Sequence, residues 1–334
     1  MRSTRIIQGI DSHTAGCPLR LITSGFGPIR GATMVEKRAD LMRRDELRRL
    51  VMFEPRGSFN MPAAVLTEAC SPDADIGMII MEPDTYPPMC GHCAMAVATI
   101  AVEAGYIEAK EGETLVRLDT PAGVVPARVA VGGGRAKSVT LEMPTSFLFA
   151  AEVVLDTPSF GKVKGAISFG GDFYLIVPAS SLGIDLDAGN AWRIVQAAAE
   201  LREALKGIPV RHPTLPHIDQ IYQVQLTEDR AEGADARNVV ICPPTVIDRS
   251  PCGTGTAARM ALLAGQGKLR AGDSFRHAGI IDTVFTGHIK RQTRLGDHPA
   301  IECTVTGSAY VTGTFNFFLD PNDPFQSGFR LTGV

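Results

Sequence analysis

Two stretches of this chain are apolar on every face. Residues 91–106 and 253–267 run through Ala, Val, Ile, Leu and Met with no polar stripe at helical spacing, the pattern of a helix buried on all sides. The first stops at Gly105 and the second near Gly265–Gly267, where glycine supplies a helix end. Two other stretches have a polar face. Residues 38–53 set Leu41, Leu47, Leu50 and Val51 among Arg and Glu, and residues 189–206 read as an amphipathic helix with Asp187 or Asn190 as cap. Between the helices lie strands. Ile6-Ile7, Leu19–Thr23, Ala63–Leu66, Ile76–Met81, Leu115–Leu118 and Val124–Val131 form an early series. Ser138–Glu142, Glu152–Leu155, Lys164–Ser168, Tyr174–Val177, Ile221–Leu226 and Val239–Cys242 form a later one, with more strands to about residue 318. Gly132-Gly133-Gly134 is the strongest break. It predicts a first half over 1–132 and a second over 133–305, each wrapping strands around one apolar helix, as an old duplication would.

The length of 334 residues agrees with about two domains and allows a large core. The net charge of −3 comes without a basic tract, so nucleic acid is not an expected partner. No apolar run reaches the length of a membrane span, and the residues after Met1 do not form a secretory leader. The seven cysteines, at 17, 70, 90, 93, 242, 252 and 303, are odd in number and irregular in spacing. They point to reduced thiols and a cytoplasmic protein.

Chemistry concentrates where the two apolar helices begin. Pro88-Met89-Cys90-Gly91-His92-Cys93 opens the first, and Ser250-Pro251-Cys252-Gly253-Thr254-Gly255-Thr256 opens the second. A thiol at a helix N-terminus has its thiolate favoured by the exposed N–H groups and the helix dipole. A free thiol titrates at about 8.5, so modest help brings it near working pH. One Cys-Gly pair reads as a buried structural cysteine; two matched pairs point to a proton acceptor and a proton donor on opposite faces of one substrate carbon. Inversion at the Cα of an amino acid often recruits pyridoxal phosphate, but no phosphate loop is present. Without a cofactor, the substrate carboxylate needs electrostatic support as the carbanion forms. The backbone N–H groups of Gly91, His92 and Cys93, and of Gly253, Thr254 and Gly255, are the expected source. His92 tunes Cys90 or touches substrate. Asp248 either binds a substrate ammonium or simply forms the Asp-Arg-Ser-Pro turn. Cys90-Gly91-His92-Cys93 also spells a dithiol redox motif, which leaves the second Cys-Gly element unexplained. No metal site is expected, because no second Cys/His pair has ligand spacing. His13, His212, His217, His277, His288 and His298 show none either.

The two cysteine segments resemble the signatures of the proline racemase family. Further similarity runs through Ile10–Gly16, Glu54-Pro55-Arg56-Gly57, Gly170-Gly171-Asp172-Phe173-Tyr174 and Asp320–Phe325. The resemblance implies an α/β (α+β) diaminopimelate-epimerase-like fold. It has two pseudo-symmetric halves, each a curved sheet around a central helix, with the site in the cleft between them. It implies that the tail, about 306–334, returns to complete the first half. It also implies a cofactor-independent enzyme with Cys90 and Cys252 as the acid/base pair. Thr stands at the second cysteine in dehydratases of the family, so Cys252 favours an epimerase or racemase. Neither Pro62 nor Cys242 is the Phe that closes the pocket of proline racemases, which leaves room for a hydroxyl. The chain departs from its relatives at Cys17, Ser58, Cys93, Asp172 and Gln220. Gln220 replaces a His and retains the ability to bond a hydroxyl. The expected reaction is epimerisation of trans-4-hydroxy-L-proline to cis-4-hydroxy-D-proline. The alternatives are trans-3-hydroxy-L-proline dehydration, proline racemisation, non-catalytic hydroxyproline binding and dithiol oxidoreduction. The partner is a small cyclic imino acid; a homodimer is left open.

Overall fold

The computed structural model describes residues 4–331 except Phe59, His217, Arg230 and Pro244. His217 therefore lies outside the described residues. The chain divides into two units. The first runs as far as Leu141 and takes back the segment from Ser308; the second is Glu142–Gly307.

The first unit holds β1 (Arg5–Thr14), β2 (Cys17–Ser24), α1 (Met34–Met42), α2 (Glu46–Met52), β3 (Ala63–Thr67) and β4 (Ile76–Met81). It continues through α3 (Gly91–Glu103), β5 (Gly112–Thr120), β6 (Gly123–Gly132) and β7 (Arg135–Glu142). The second holds β8 (Ser146–Thr157), β9 (Gly161–Phe169), β10 (Phe173–Pro178), α4 (Ala191–Ala204), β11 (Ile221–Glu228), β12 (Ala236–Cys242) and the short β13 (Val246–Ile247). After it come α5 (Gly253–Gly265), β14 (Ser274–Ala278), β15 (Val284–Leu295) and β16 (His298–Gly307). The last strand, β17 (Ala309–Leu319), belongs to the first unit.

Strand pairing shows the repeat that sequence identity hides. In the first unit the order is β17-β1-β2-β3-β4-β5-β6-β7, antiparallel throughout except for the parallel pairs β2–β3 and β4–β5. In the second it is β8-β9-β10-β11-β12-β14-β15-β16, with parallel pairs at β10–β11 and β12–β14. The two patterns are the same. By this register β17 is the counterpart of β8, which is why the first unit needs the returning strand. The central helix is the crossover into the second parallel pair in both. The second sheet closes on itself where β16 pairs with β8. Two α/β units of one connectivity, each a curved sheet around a helix, make the diaminopimelate-epimerase-like architecture.

Burial follows the patterning. Every residue of α3 from Gly91 to Val102 is buried, against β1, β2, β5, β6 and β17. In α5 all but Thr254 and Gly265 are buried, against β8, β9, β10, β15 and β16. Each fully buried Val, Leu, Ile or Met contributes about 1.5–3 kcal/mol. The amphipathic helices cover the other faces: Leu41, Leu47, Leu50 and Val51 join one core cluster, and Ile194, Ala197, Ala198 and Leu201 join another.

Two expectations need correction. Gly133 and Gly134, at φ 62° and 73°, form a two-residue hairpin turn with Gly132 opposite Arg135. That turn favours glycine at both positions, so the triplet joins two strands of one unit and the division falls later, at 141/142. The helix predicted over 38–53 is two helices. Arg44 bonds back to Asp40 and to the Phe26 carbonyl, and Asp45 pairs with Arg48 and Tyr86, so polar side chains hold the break.

Gly170 explains how closely α5 seats. A Cβ there would lie 2.2 Å from the Thr254 carbonyl oxygen and 2.4 Å from the Ala258 nitrogen. Both are helix backbone and neither can move alone. Gly170→Ala is expected to lower stability by about 1–3 kcal/mol, the usual cost of overpacking. Thermal unfolding checks this, and an unchanged Tm would contradict the close seating.

Candidate active site

At the start of α3, Cys90 is the N-cap residue (φ −147°, ψ 125°) and its carbonyl accepts from the Ala94 N–H. The next side chain in line, His92, is buried, and both of its ring nitrogens face sulfur. Nδ1 lies 3.1 Å from Cys90 Sγ, and Nε2 lies 3.4 Å from Cys93 Sγ and 3.7 Å from Cys17 Sγ. The tight turn between β1 and β2 holds this arrangement. Thr14 Oγ1 donates to the His92 carbonyl at 2.8 Å, and Cys17 opens β2. The Ile10–Gly16 similarity is therefore a support for His92.

Charge within this group is shared. A hydrogen bond from the Cys93 thiol is the largest influence on Cys90, and with the neighbouring His92 charge it overcomes burial and holds Cys90 well below the ordinary thiol range. Burial opposes a charge on His92, but the sulfurs of Cys17, Cys90 and Cys93 outweigh it and raise the imidazole well above its ordinary value. Burial and the Cys90 charge push Cys93 up. All three shifts favour a Cys90 thiolate against a His92 imidazolium, with Cys93 a thiol.

The start of α5 is built differently. Cys252 is again the N-cap residue, but at φ 62°, a region costing of order 1–3 kcal/mol for a residue with a Cβ. Its Sγ accepts from the Gly255 N–H at 3.3 Å and lies 3.4 Å from Tyr174 Oη. The phenol also meets Thr254 Oγ1 at 2.6 Å. Ser250 Oγ receives the Cys252 N–H at 3.1 Å and itself donates to Asp248 Oδ1 at 2.8 Å. Burial dominates here. With the Asp248 charge it pushes the Cys252 thiol up to about 12, against the bonds from Tyr174, Gly255 and Thr254.

The expectation that a helix N-terminus favours both thiolates needs correction. Cys252 does gain a helix N–H, from Gly255, but burial outweighs it, and Cys90 is held low chiefly by the Cys93 thiol and His92. Cys252 sits in an apolar cluster with Leu148, Tyr174, Ile176, Val240 and Leu262, and loss of water outweighs the helix dipole. A second correction concerns the carboxylate donors. The Gly255 N–H is engaged by Cys252, which leaves Gly253 and Thr254 at that helix end; Gly91, His92 and Cys93 form the first turn of α3. Glycine at 255 gives this bond room, since a Cβ would crowd Cys252 Sγ and Gln225 Nε2 at 3.1 Å.

Asp248 forms the turn that places Cys252, accepting from both the N–H and the hydroxyl of Ser250 at 2.8 Å. Gln220 is exposed just before β11 and does not join the Cys252 group. Gln223 does come near it, donating to Asp172 Oδ2 at 3.2 Å. Burial pushes the Asp172 carboxyl up to about 6, against bonds from Gln223 and the Phe173 N–H. Tyr174, Cys17 and Gln223 were not singled out as site residues. The signal for Tyr174 was a hydroxyl in an apolar strand, which must find a partner when buried. The Glu54–Gly57 segment anchors the tail: Arg56 pairs with Asp323 at 3.1 Å and donates to the Gln326 carbonyl at 2.8 Å.

Among the described residues, Cys90, His92 and Cys93 are the one group whose donor atoms, all within 4.8 Å of one another, could share an ion. Both ring nitrogens already have thiol partners, so the group is equally a path for protons. No described helix is long and apolar enough to cross a membrane.

Comparison with known proteins places this geometry. The family model described as proline racemase matches residues 9–330. A 4-hydroxyproline 2-epimerase of Streptosporangium roseum is 41% identical, and a proline racemase of Clostridioides difficile 40%, each covering 99% of this chain and 100% of the relative. A trans-3-hydroxy-L-proline dehydratase of Burkholderia cenocepacia is 37% identical over the same shares. A hydroxyproline epimerase structure from Agrobacterium vitis, with bound trans-4-hydroxy-L-proline, superimposes with a TM-score of 0.90 at 34% identity, over 100% of this chain and 97% of that one.

The unequal thiols make a direct prediction. Between pH 9 and 7 an ordinary thiol with pKa about 8.5 loses roughly twenty-five-fold in thiolate and in alkylation rate. Iodoacetamide should label Cys90 at a nearly constant rate across that range, while Cys252 stays unlabelled at pH 7. His92→Ala should move Cys90 toward the ordinary slope, with the Cys93 hydrogen bond still favouring its thiolate. Peptide mapping with timed quenching reads both sites, and an ordinary slope for Cys90 in the unaltered chain would sink the thiolate assignment.

Proposed function

Since the chain belongs to the proline racemase family, we propose that it is an isomerase inverting the Cα of a cyclic imino acid, with trans-4-hydroxy-L-proline converted to cis-4-hydroxy-D-proline. The observation that carries this is the matched placement of Cys90 and Cys252, each the N-cap of the buried central helix in units of one connectivity. Inversion needs two proton-transfer groups, whereas elimination of water needs one base at Cα. A thiol at both N-caps favours inversion.

The chemistry follows from the two protonation states. The Cys90 thiolate removes the Cα proton, and the Cys252 thiol delivers one to the opposite face. Negative charge then moves from Cys90 to Cys252, where the Gly255 N–H and the Tyr174 hydroxyl receive it. The substrate carboxylate takes up electron density as the carbanion forms, and helix N–H groups at Gly91, His92, Cys93, Gly253 and Thr254 supply the opposing partial charge. Asp248, through the oxygen not committed to Ser250, is the group assigned to the substrate ammonium. The scheme requires reduced thiols, which fits a cytoplasmic location.

Preference for the 4-hydroxylated ring rests on Cys242 and Pro62. Cys242 packs on the apolar cluster that contains Cys252 and Tyr174, where a smaller, more polar side chain than Phe accommodates a ring hydroxyl. Dehydration of trans-3-hydroxy-L-proline is the second reading, because a full-length relative at 37% identity carries that name.

Proton NMR of trans-4-hydroxy-L-proline in D₂O with reduced enzyme tests the proposal. The expected result is loss of the Cα–H signal together with growth of the cis-D epimer. Exchange without epimer would leave one working base and remove Cys252 from its role. No change with this substrate, but a cyclic imine trapped by o-aminobenzaldehyde from the 3-hydroxylated isomer, would favour the dehydratase. Cys90→Ser and Cys252→Ser should each abolish inversion, since a hydroxyl is a far weaker acid than a thiol. Full activity in either would refute the two-thiol scheme.

A further inference from the structure

Inversion uses one thiol from each unit, and the sulfur of Cys93 takes no proton from substrate in it. Cys93 is fully buried, yet it lies beside the one partly exposed thiol of its group. Cys90 is the N-cap of α3 and Cys93 its third residue, so helix geometry sets their Cα atoms about 5 Å apart, within the span of a disulfide. Their sulfurs, with a ring nitrogen of His92, lie within 4.8 Å of one another.

We propose that Cys90 and Cys93 form a reversible dithiol–disulfide pair, closed by a small disulfide of the glutathione class, that switches the enzyme off. The switch rests on the role given to Cys90 above. Exposure fixes the order of events. Cys90, the one residue of the pair that is partly exposed, attacks the small disulfide RSSR through its sulfur. A Cys90–SR bond forms, the S–S bond of RSSR breaks, and RS⁻ leaves with a proton from the His92 imidazolium. With its remaining proton moved to Nδ1 through solvent, the neutral ring takes the proton of Cys93 at Nε2, which lies 3.4 Å from that sulfur. The Cys93 thiolate attacks Cys90 Sγ and expels the second RS⁻, which receives that proton. Two thiols have lost two hydrogens and two electrons, and RSSR has become two RSH. Any small thiol in excess reverses both steps. The disulfide removes the base from Cα chemistry without disturbing α5. His92 serves both reactions, since the imidazole that holds Cys90 as a thiolate for inversion also activates Cys93 as the resolving thiol.

The test uses the full reduced chain treated with oxidised glutathione, quenched in acid, alkylated and mapped by mass spectrometry, with epimerisation assayed on the same samples. The expected result is a Cys90–Cys93 bond, activity lost in proportion to the fraction so bonded, and recovery with dithiothreitol. In Cys93→Ser the glutathionyl group should instead stay on Cys90. The mapping in the unaltered chain does not depend on whether that variant folds. A glutathionyl group persisting on Cys90 in the unaltered chain, or a bond from Cys90 to Cys17 or Cys252, would overturn the pairing. A Cys90–Cys93 bond with undiminished epimerisation would overturn the switch. If the reduced enzyme inverts no imino acid at all, the functional proposal fails while the map still decides whether the pair forms.

Discussion

A helix that is apolar on every side is stable only when something encloses it. That constraint organises both units. The Ala-rich runs of α3 and α5 expose no polar face, so a sheet must curve around each. Enclosure creates a problem at the helix start, where the first N–H groups have no partner within the helix. A buried helix can end on a capping side chain or open toward a ligand. Here each opens on Cys-Gly. The sulfur is a poor cap compared with Ser, Thr, Asp or Asn, and the glycine leaves the backbone uncovered. The fold thus places a nucleophilic atom and unpaired N–H groups together wherever a central helix begins.

From that common frame the two ends diverge through their neighbours. Around Cys90 the next side chain is an imidazole, with two more sulfurs behind it. Negative charge has a counter-ion within hydrogen-bonding distance. Around Cys252 the partners among the described residues are a phenol, a hydroxyl, an N–H and an apolar wall. Neutral donors can accept charge delivered during a reaction, but they do not hold it there at rest. Similar helix starts therefore carry opposite protons.

Much of the architecture was legible because it rests on local patterns. The two apolar helices, the amphipathic α4 and the matched Cys-Gly starts are visible as spacing and composition. What was not legible depended on contacts between distant residues. The glycine triplet looked like a linker because its demand for positive φ is the same in a linker and a hairpin; only the pairing of Gly132 with Arg135 separates them. The break between α1 and α2 depends on Arg44 reaching the Phe26 carbonyl. The thiol group could not be assembled from the sequence, since Cys17 stands far from Cys90 along the chain and meets it through His92. Nor could the high pKa of Cys252, because burial depends on what packs against Val240 and Tyr174.

The opposite resting protons also limit what the asymmetry can do. An enzyme cannot alter the equilibrium between two epimers, so a fixed preference for thiolate at Cys90 does not drive the reaction in one direction. It decides which enzyme form waits for substrate. In the proposed scheme, an inversion that starts from the Cys90 thiolate leaves the less stable arrangement, a thiol at Cys90 and a thiolate among neutral donors at Cys252. Relaxation back needs a proton to leave one end and arrive at the other. Tyr174 and Thr254 offer a route at Cys252, and His92 with its sulfurs offers one at Cys90. In the proposed scheme these polar groups are the means of restoring the starting state.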